Sequence, residues 1–180
     1  MSFDGIGMKT LDADGLILEP QVAAHAAEMF AVLSDPALYE YELEPPASEE
    51  WLRARFLRLE TRRSPDGRER WLNWVIRLAG EPSIGYVQAT VRDDGSAGIA
   101  YALSSSCWGK GFAGRAVEAM IQELVGEYGV QMFWAVLKEE NVRSRRLLER
   151  LGFAPVPADA WPGGSVESGE LLMSRRIGAS

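Results

Sequence analysis

Residues 108–115 read Trp-Gly-Lys-Gly-Phe-Ala-Gly-Arg, with glycines at 109, 111 and 114. Glycine has no Cβ, so such a segment lets the main chain approach a ligand closely and turns successive N–H groups one way. A strand-like stretch over 97–103 precedes it, and a long amphipathic pattern from Phe112 follows. The first turn of a helix has unbonded N–H groups and the positive end of the helix dipole, which suits it to an anion. The charges agree. No acid stands between Asp94 and Glu118, yet Lys110 and Arg115 do, in a chain with net charge −7. Two cations at a helix N-terminus are unfavourable unless an anion sits there. The plain alternative is a glycine-rich tight turn with two solvated cations.

Three phosphate sites compete for this segment. A P-loop needs glycine, four residues, then Gly-Lys-Ser/Thr. Here Ser104 stands at the first glycine and Gly111 follows Lys110, so that pattern fails. A dinucleotide fingerprint is spelled by Gly109, Gly111 and Gly114, with Glu139 placed 25 residues after Gly114. Residues 104–108, however, separate these glycines from their strand, and about 40 residues remain after Glu139. That is too short for the usual βαβαβ unit, which leaves a dinucleotide-binding oxidoreductase as the remote alternative. The third candidate is the pyrophosphate of coenzyme A.

At this point the residues resemble the GNAT N-acetyltransferase family, whose pyrophosphate loop reads Gln/Arg-x-x-Gly-x-Gly/Ala. Gly109-Lys110-Gly111-Phe112-Ala113 fits its last five positions, and Trp108 departs from the first. The form Trp-Gly-Lys-Gly-aromatic-Ala is similar to the branch of ribosomal-protein N-terminal acetyltransferases. A second segment resembles the family's Asn-x-x-Ser at a strand end, followed by a helix and a Leu-Gly-Phe closure. It comprises Asn141, Ser144 and Leu151-Gly152-Phe153. Alone, Asn141 is a natural helix N-cap and Ser144 an early helical residue. Their position 27 residues beyond Gly114 is more specific. Leu16-Ile17-Leu18 and Ile84-Gly85-Tyr86 resemble the first and third strands, though Gly15 and Glu19 stand where arginines are usual. The likeness spans residues 15–176.

The resemblance implies an α/β (α+β) fold: a mixed, mostly antiparallel central sheet of about seven strands, flanked by helices, with a splayed strand pair that binds CoA. It implies one domain over 1–180, with 1–14 a loose lead-in. Acetyl-CoA would be the cosubstrate, and the acetyl group would pass to a primary amine, a protein N-terminus or a small molecule. Leu103 and Ser104 at a strand end would flank the pantetheine arm. Gly109, Lys110, Gly111, Phe112, Ala113, Gly114 and Arg115 would hold the pyrophosphate. Asn141 would bond the arm, and Ser144 would sit near the sulfur as the candidate acid. Lys110, Arg143, Arg145 or Arg146 would meet the adenosine phosphate, unless the arginines form only a solvated basic face. The family often carries glutamate in a Glu-Ile-Gly-Tyr run, but this chain reads Gly98-Ile99-Ala100-Tyr101. Candidates for the general base are Glu42, Glu44, Tyr101 or water. His25 reads as structural. Cys107 has no evident histidine partner, so direct transfer is expected over a covalent enzyme. The rival reading is a non-catalytic acyl-CoA-binding module.

Composition frames these expectations. The 180 residues are 47% hydrophobic and 25% charged, ordinary for a folded domain and unlike a disordered one. The longest apolar run, 132–137, is far below the ~20 residues of a membrane span. No basic-then-apolar leader opens the chain. One cysteine and one histidine offer neither an internal disulfide nor a zinc cluster. A pI near 4.9 argues against nucleic acid. The expected setting is cytoplasmic, with a homodimer as the oligomeric option. Periodicity predicts strands at 16–18, 71–78, 84–91, 97–103, 131–137 and 170–177. It predicts helices over 22–33, over 49–59 behind Ser48, over Phe112–Tyr128 and over 142–151.

Overall fold

In a computed structural model, residues 7–41 and 44–178 are described. Eight strands form one sheet: β1 (Leu11–Asp12), β2 (Leu16–Pro20), β3 (Glu69–Leu78), β4 (Ser83–Arg92), β5 (Ser96–Leu103), β6 (Met132–Lys138), β7 (Ala154–Val156) and β8 (Glu170–Arg176). Their order is β1-β2-β3-β4-β5-β6-β8-β7. Every neighbouring pair is antiparallel except β5 and β6. Four helices flank the sheet: α1 (Ala26–Leu33), α2 (Glu49–Leu59), α3 (Phe112–Tyr128) and α4 (Val142–Arg150). A mostly antiparallel sheet is not the parallel, doubly wound sheet that a dinucleotide fingerprint opens. No described helix is long and apolar enough to cross a membrane.

The expectation of about seven strands is one short. The residues expected to be loose include β1, where Leu11 pairs with Leu18 and is 8% exposed. Helix α3 runs over the predicted residues. Its apolar positions Ala116, Val117, Met120, Ile121, Leu124 and Tyr128 are buried on one stripe. Burying a Leu- or Ile-sized side chain contributes roughly 1.5–3 kcal/mol, so this stripe anchors the helix. The buried Glu123, on the same side, is met by the Lys9 ammonium at 3.1 Å. Gly129 ends the helix with φ 65°, its N–H donating to the Leu124 carbonyl. On α2, Ser48 caps the start by accepting from the Trp51 amide at 3.0 Å.

Two clusters of buried residues result. The larger joins the sheet to α3; the smaller holds Ala26, Met29 and Val32 of α1 with Leu52 and Phe56 of α2 against Val75. Thus α1 and α2 cover the sheet face that carries Val75 and Tyr86. Strand alternation puts Asn73, Gln88, Thr90, Gly98, Ala100 and Ala102 on that same face.

Candidate active site

Strands β5 and β6 pair only at Ser96–Met132, Ala97–Phe133 and Gly98–Trp134. Beyond Gly98, β5 stays on β4 through Leu103, while β6 follows β8 to Lys138. The two part like a V. The facing edges at 99–102 and 135–137 therefore expose main-chain groups that no strand satisfies, a template for an extended, amide-bearing ligand. Gly85 holds the upper arm in place. A Cβ there would lie 2.2 Å from the Ala102 carbonyl oxygen, so only glycine lets β4 approach this closely.

The chain leaves β5 through a 3-10 turn at Ser105–Cys107 and enters α3 over the glycines. Gly109 and Gly111 have φ of 74° and 76°, the left-handed region that glycine favours. A Cβ on Gly109, Gly111 or Gly114 would meet nothing within 4 Å, so this stretch of backbone faces open space. Among the described residues, the amides of 109–114 reach no protein acceptor; the first N–H of the run to be bonded is that of Arg115, to the Gly111 carbonyl at 3.2 Å. Six consecutive N–H groups at a helix N-terminus are a cradle for a diphosphate.

Trp108 fixes this cradle to the V. Its indole Nε1–H donates to the Leu103 carbonyl at 3.0 Å, and the Arg143 guanidinium stacks 3.6 Å from its ring centroid. The Leu103 carbonyl is thus engaged. Ser104 is engaged too, its N–H donating to Ile84 and its carbonyl accepting from Cys107. Of β5, Ile99, Ala100, Tyr101 and Ala102 line the cavity at the V. Asp35 tethers the segment from the other side. Its carboxylate accepts from the Ser105 amide at 2.8 Å and from the Ala37 amide at 3.0 Å, and the bonds to Ser105, then to Ala37, hold its pKa low.

Asn141 caps α4, its Oδ1 accepting from the Ser144 amide at 3.1 Å. Asn141 and Ser144 line a cavity of about 400 Å³ together with Ile99, Ala100, Tyr101, Ala102 and 135–137. The same cavity is also lined by Tyr39, Tyr41, Glu44, Trp51, Arg55, Asn73, Tyr86 and Gln88. One chamber therefore joins the V to the face covered by α1 and α2.

The sequence matches the acetyltransferase (GNAT) domain family over residues 15–154. The chain belongs to the GNAT acetyltransferase family. As a GNAT acetyltransferase it is an enzyme, with acetyl-CoA as its cosubstrate. Solved structures share the fold. RimL, a ribosomal-protein alpha-N-acetyltransferase in complex with coenzyme A, superposes with a TM-score of 0.78 at 16% identity, covering 94% of this chain and 98% of that one. A ribosomal-protein-S5-alanine acetyltransferase from Vibrio fischeri gives 0.76 at 18%, covering 94% and 97%. The microcin C7 self-immunity acetyltransferase MccE, with acetyl-CoA and AMP, gives 0.75 at 19%, covering 91% and 93%. No curated protein matches the sequence.

The remaining site residues of this GNAT chain fall as follows. Lys110 is exposed on the cradle. Phe112 and Ala113 form the first turn of α3 and pack partly against the core. The Arg115 guanidinium turns away to the Asp14 carbonyl and lies 5.1 Å over the Phe112 ring. Arg145 pairs with Glu149 at 2.9 Å. Cys107 packs against the core and does not line the cavity. His25 lies 3.3 Å from Glu19 in the α1 entry. Glu42 lies outside the described residues. Tyr101 donates to the Ser144 carbonyl at 3.4 Å, and burial raises its pKa.

Sequence reasoning missed what replaces the family's strand glutamate. A Cβ on Gly98 would lie 3.1 Å from the Trp161 indole and 3.6 Å from the Arg92 guanidinium. Trp161 comes from the loop before β8 and meets Trp134 edge-on at 6.1 Å. Its ring occupies the space where a carboxylate at 98 would begin. The only sequence signal was the unusual Gly98 itself.

Proposed function

We propose that this acetyltransferase passes the acetyl group directly to a primary amine, and that the α-amine of a protein N-terminus is the acceptor its site suits best. The observation that carries the reading is the chamber joining the V between β5 and β6 to the acceptor face. An amine must be neutral to attack a thioester. Glu44 is the one carboxylate lining the chamber among the described residues, and it is exposed. Among the described residues the site has no buried base to strip a proton from a lysine of pKa about 10.4, whereas an α-amine near 7.7–8 is already partly neutral at pH 7. Glu44, directly or through water, receives the proton that the amine sheds on attack. Main-chain N–H groups along 99–102 face the carbonyl oxygen as it gains charge. The thiolate departs toward Ser144 and Tyr101. Tyr101 stays neutral there, its hydroxyl turned to the Ser144 carbonyl, and is not the base, because burial disfavours its phenolate. No cysteine lines the chamber, in keeping with direct transfer. A cytoplasmic setting fits the single free thiol of Cys107. The homodimer is left to a sedimentation measurement.

Thiol release from acetyl-CoA, measured with a panel of α-amino peptides, ε-amino peptides and small amines, tests the reading. Release with α-amines, rising with pH and flattening near pH 8, is expected. CoA binding with no release on any amine would contradict it.

A further inference from the structure

The acceptor face does not end at the transfer chamber. A second cleft of about 790 Å³ shares Arg55, Leu59, Asn73 and Gln88 with it and continues to Arg58, Thr61, Arg63, Ser64, Trp71 and Thr90. Among the described residues no aspartate or glutamate lines this second cleft, although the chain carries −7 overall. Arg55 and Arg58 stand three residues apart on α2, so they share one helix face. Neither has an acidic partner among the described residues; Arg55 only overlies the Trp51 ring at 5.8 Å. The acids nearby are already engaged. Glu60 accepts from the Ala23 amide, Asp66 from the Ser64 hydroxyl and the Arg68 amide, and Glu69 from the Trp71 indole, with Arg92 ion-paired to Glu69 at 3.6 Å. Arg55 and Arg58 make the cleft cationic and hydrogen-bonding.

We infer that this cleft reads an acidic side chain within the first few residues of a polypeptide acceptor, holding it on Arg58 and Arg55 while the N-terminal amine lies in the transfer chamber. This rests on the N-acetyltransferase reading above. The geometry selects a polypeptide over a small amine. From Tyr86, level with Ala102, to Thr90, level with Gly98, β4 advances four residues, or about 13 Å. An extended acceptor covers that distance in about four residues, which places positions two to four opposite the arginines. The guanidinium fork suits a carboxylate in this role, and Arg58 lies outside the chamber where the acetyl group moves.

The test compares three peptides with the same N-terminal residue and acidic, neutral or basic residues at positions two to four. Transfer and, separately, calorimetric binding in the presence of CoA are measured with the wild-type protein and with Arg58→Ala and Arg58→Glu. The acidic peptide is expected to exceed the neutral one about tenfold in kcat/KM, through KM, with the ratio shrinking as salt rises. Arg58→Ala should reduce that ratio, and Arg58→Glu should bring it to one or below. Equal use of the three peptides, or a ratio that Arg58→Glu leaves in place, would overturn the inference while leaving N-acetyl transfer standing. Preference for a small anionic amine over all three peptides would overturn it as well. Absence of transfer to any amine would instead count against the N-acetyltransferase reading, and the binding ratio would still decide whether the cleft selects acid.

Discussion

Residues 109–114 offer six main-chain amides from one unbroken stretch, while Tyr39, Glu44, Arg55, Asn73 and Gln88 reach the transfer chamber from five separate segments. The first wall is made of backbone, so what it recognises depends on φ angles and on missing Cβ atoms. The second is made of side chains, so what it recognises depends on which residues the fold delivers. A cosubstrate shared by a whole family suits the first kind of wall, and an acceptor particular to one enzyme suits the second. The contrast predicts that damage to the two walls separates kinetically.

The largest effect belongs to Gly111→Val. The position has φ 76° and faces open space, so a branched side chain both strains the turn and stands where the phosphates are proposed to bind. CoA affinity should fall about 100-fold, roughly 2.7 kcal/mol, with acceptor binding little changed. Calorimetry with CoA checks it. Equal loss of acceptor binding would erase the distinction between the walls.

Trp108→Phe sharpens it. The change keeps a ring for Arg143 to stack on but removes the indole N–H that holds the Leu103 carbonyl. Loss of one such bond costs about 1 kcal/mol, so CoA affinity should weaken some fivefold. An unaltered affinity would mean that the tether to β5 does not position the cradle.

The smallest effects are expected on the chemistry itself. Ser144→Ala and Glu44→Gln should each slow turnover by a few fold and leave the CoA Kd in place, because an exposed carboxylate and a serine hydroxyl are weak proton-transfer groups. Single-turnover rates read this. A loss of 1,000-fold at either residue would show a dedicated acid or base, and the partly neutral α-amine would no longer be needed to explain the reaction.

The same contrast explains what the sequence disclosed. Helix α3 was legible to its ends because its apolar period holds over all 17 residues, between two glycines at positive φ. The glycine turn at 109–111 was legible because it is local. Strand β1 was not, since two residues carry no period. Strand β7 hid behind Pro155, a residue that sequence patterns place outside strands; it survives here beside β8 at the edge of the sheet. Trp51, beside the buried Leu52 on α2, is 47% exposed and lines the acceptor chamber. Trp161 filling the space at Gly98, and the arginine cleft beyond Asn73, depend on segments far apart in the chain. No local pattern reports such meetings.

The central claim is that the amides of 109–114 grip the diphosphate. Amide proton and nitrogen chemical shifts, followed during a CoA titration and again with pantetheine alone, test it most directly. The account predicts that CoA moves the resonances of Gly109 through Gly114 strongly downfield in proton and that pantetheine leaves them nearly in place. Saturation with CoA while those six resonances stay still would contradict it.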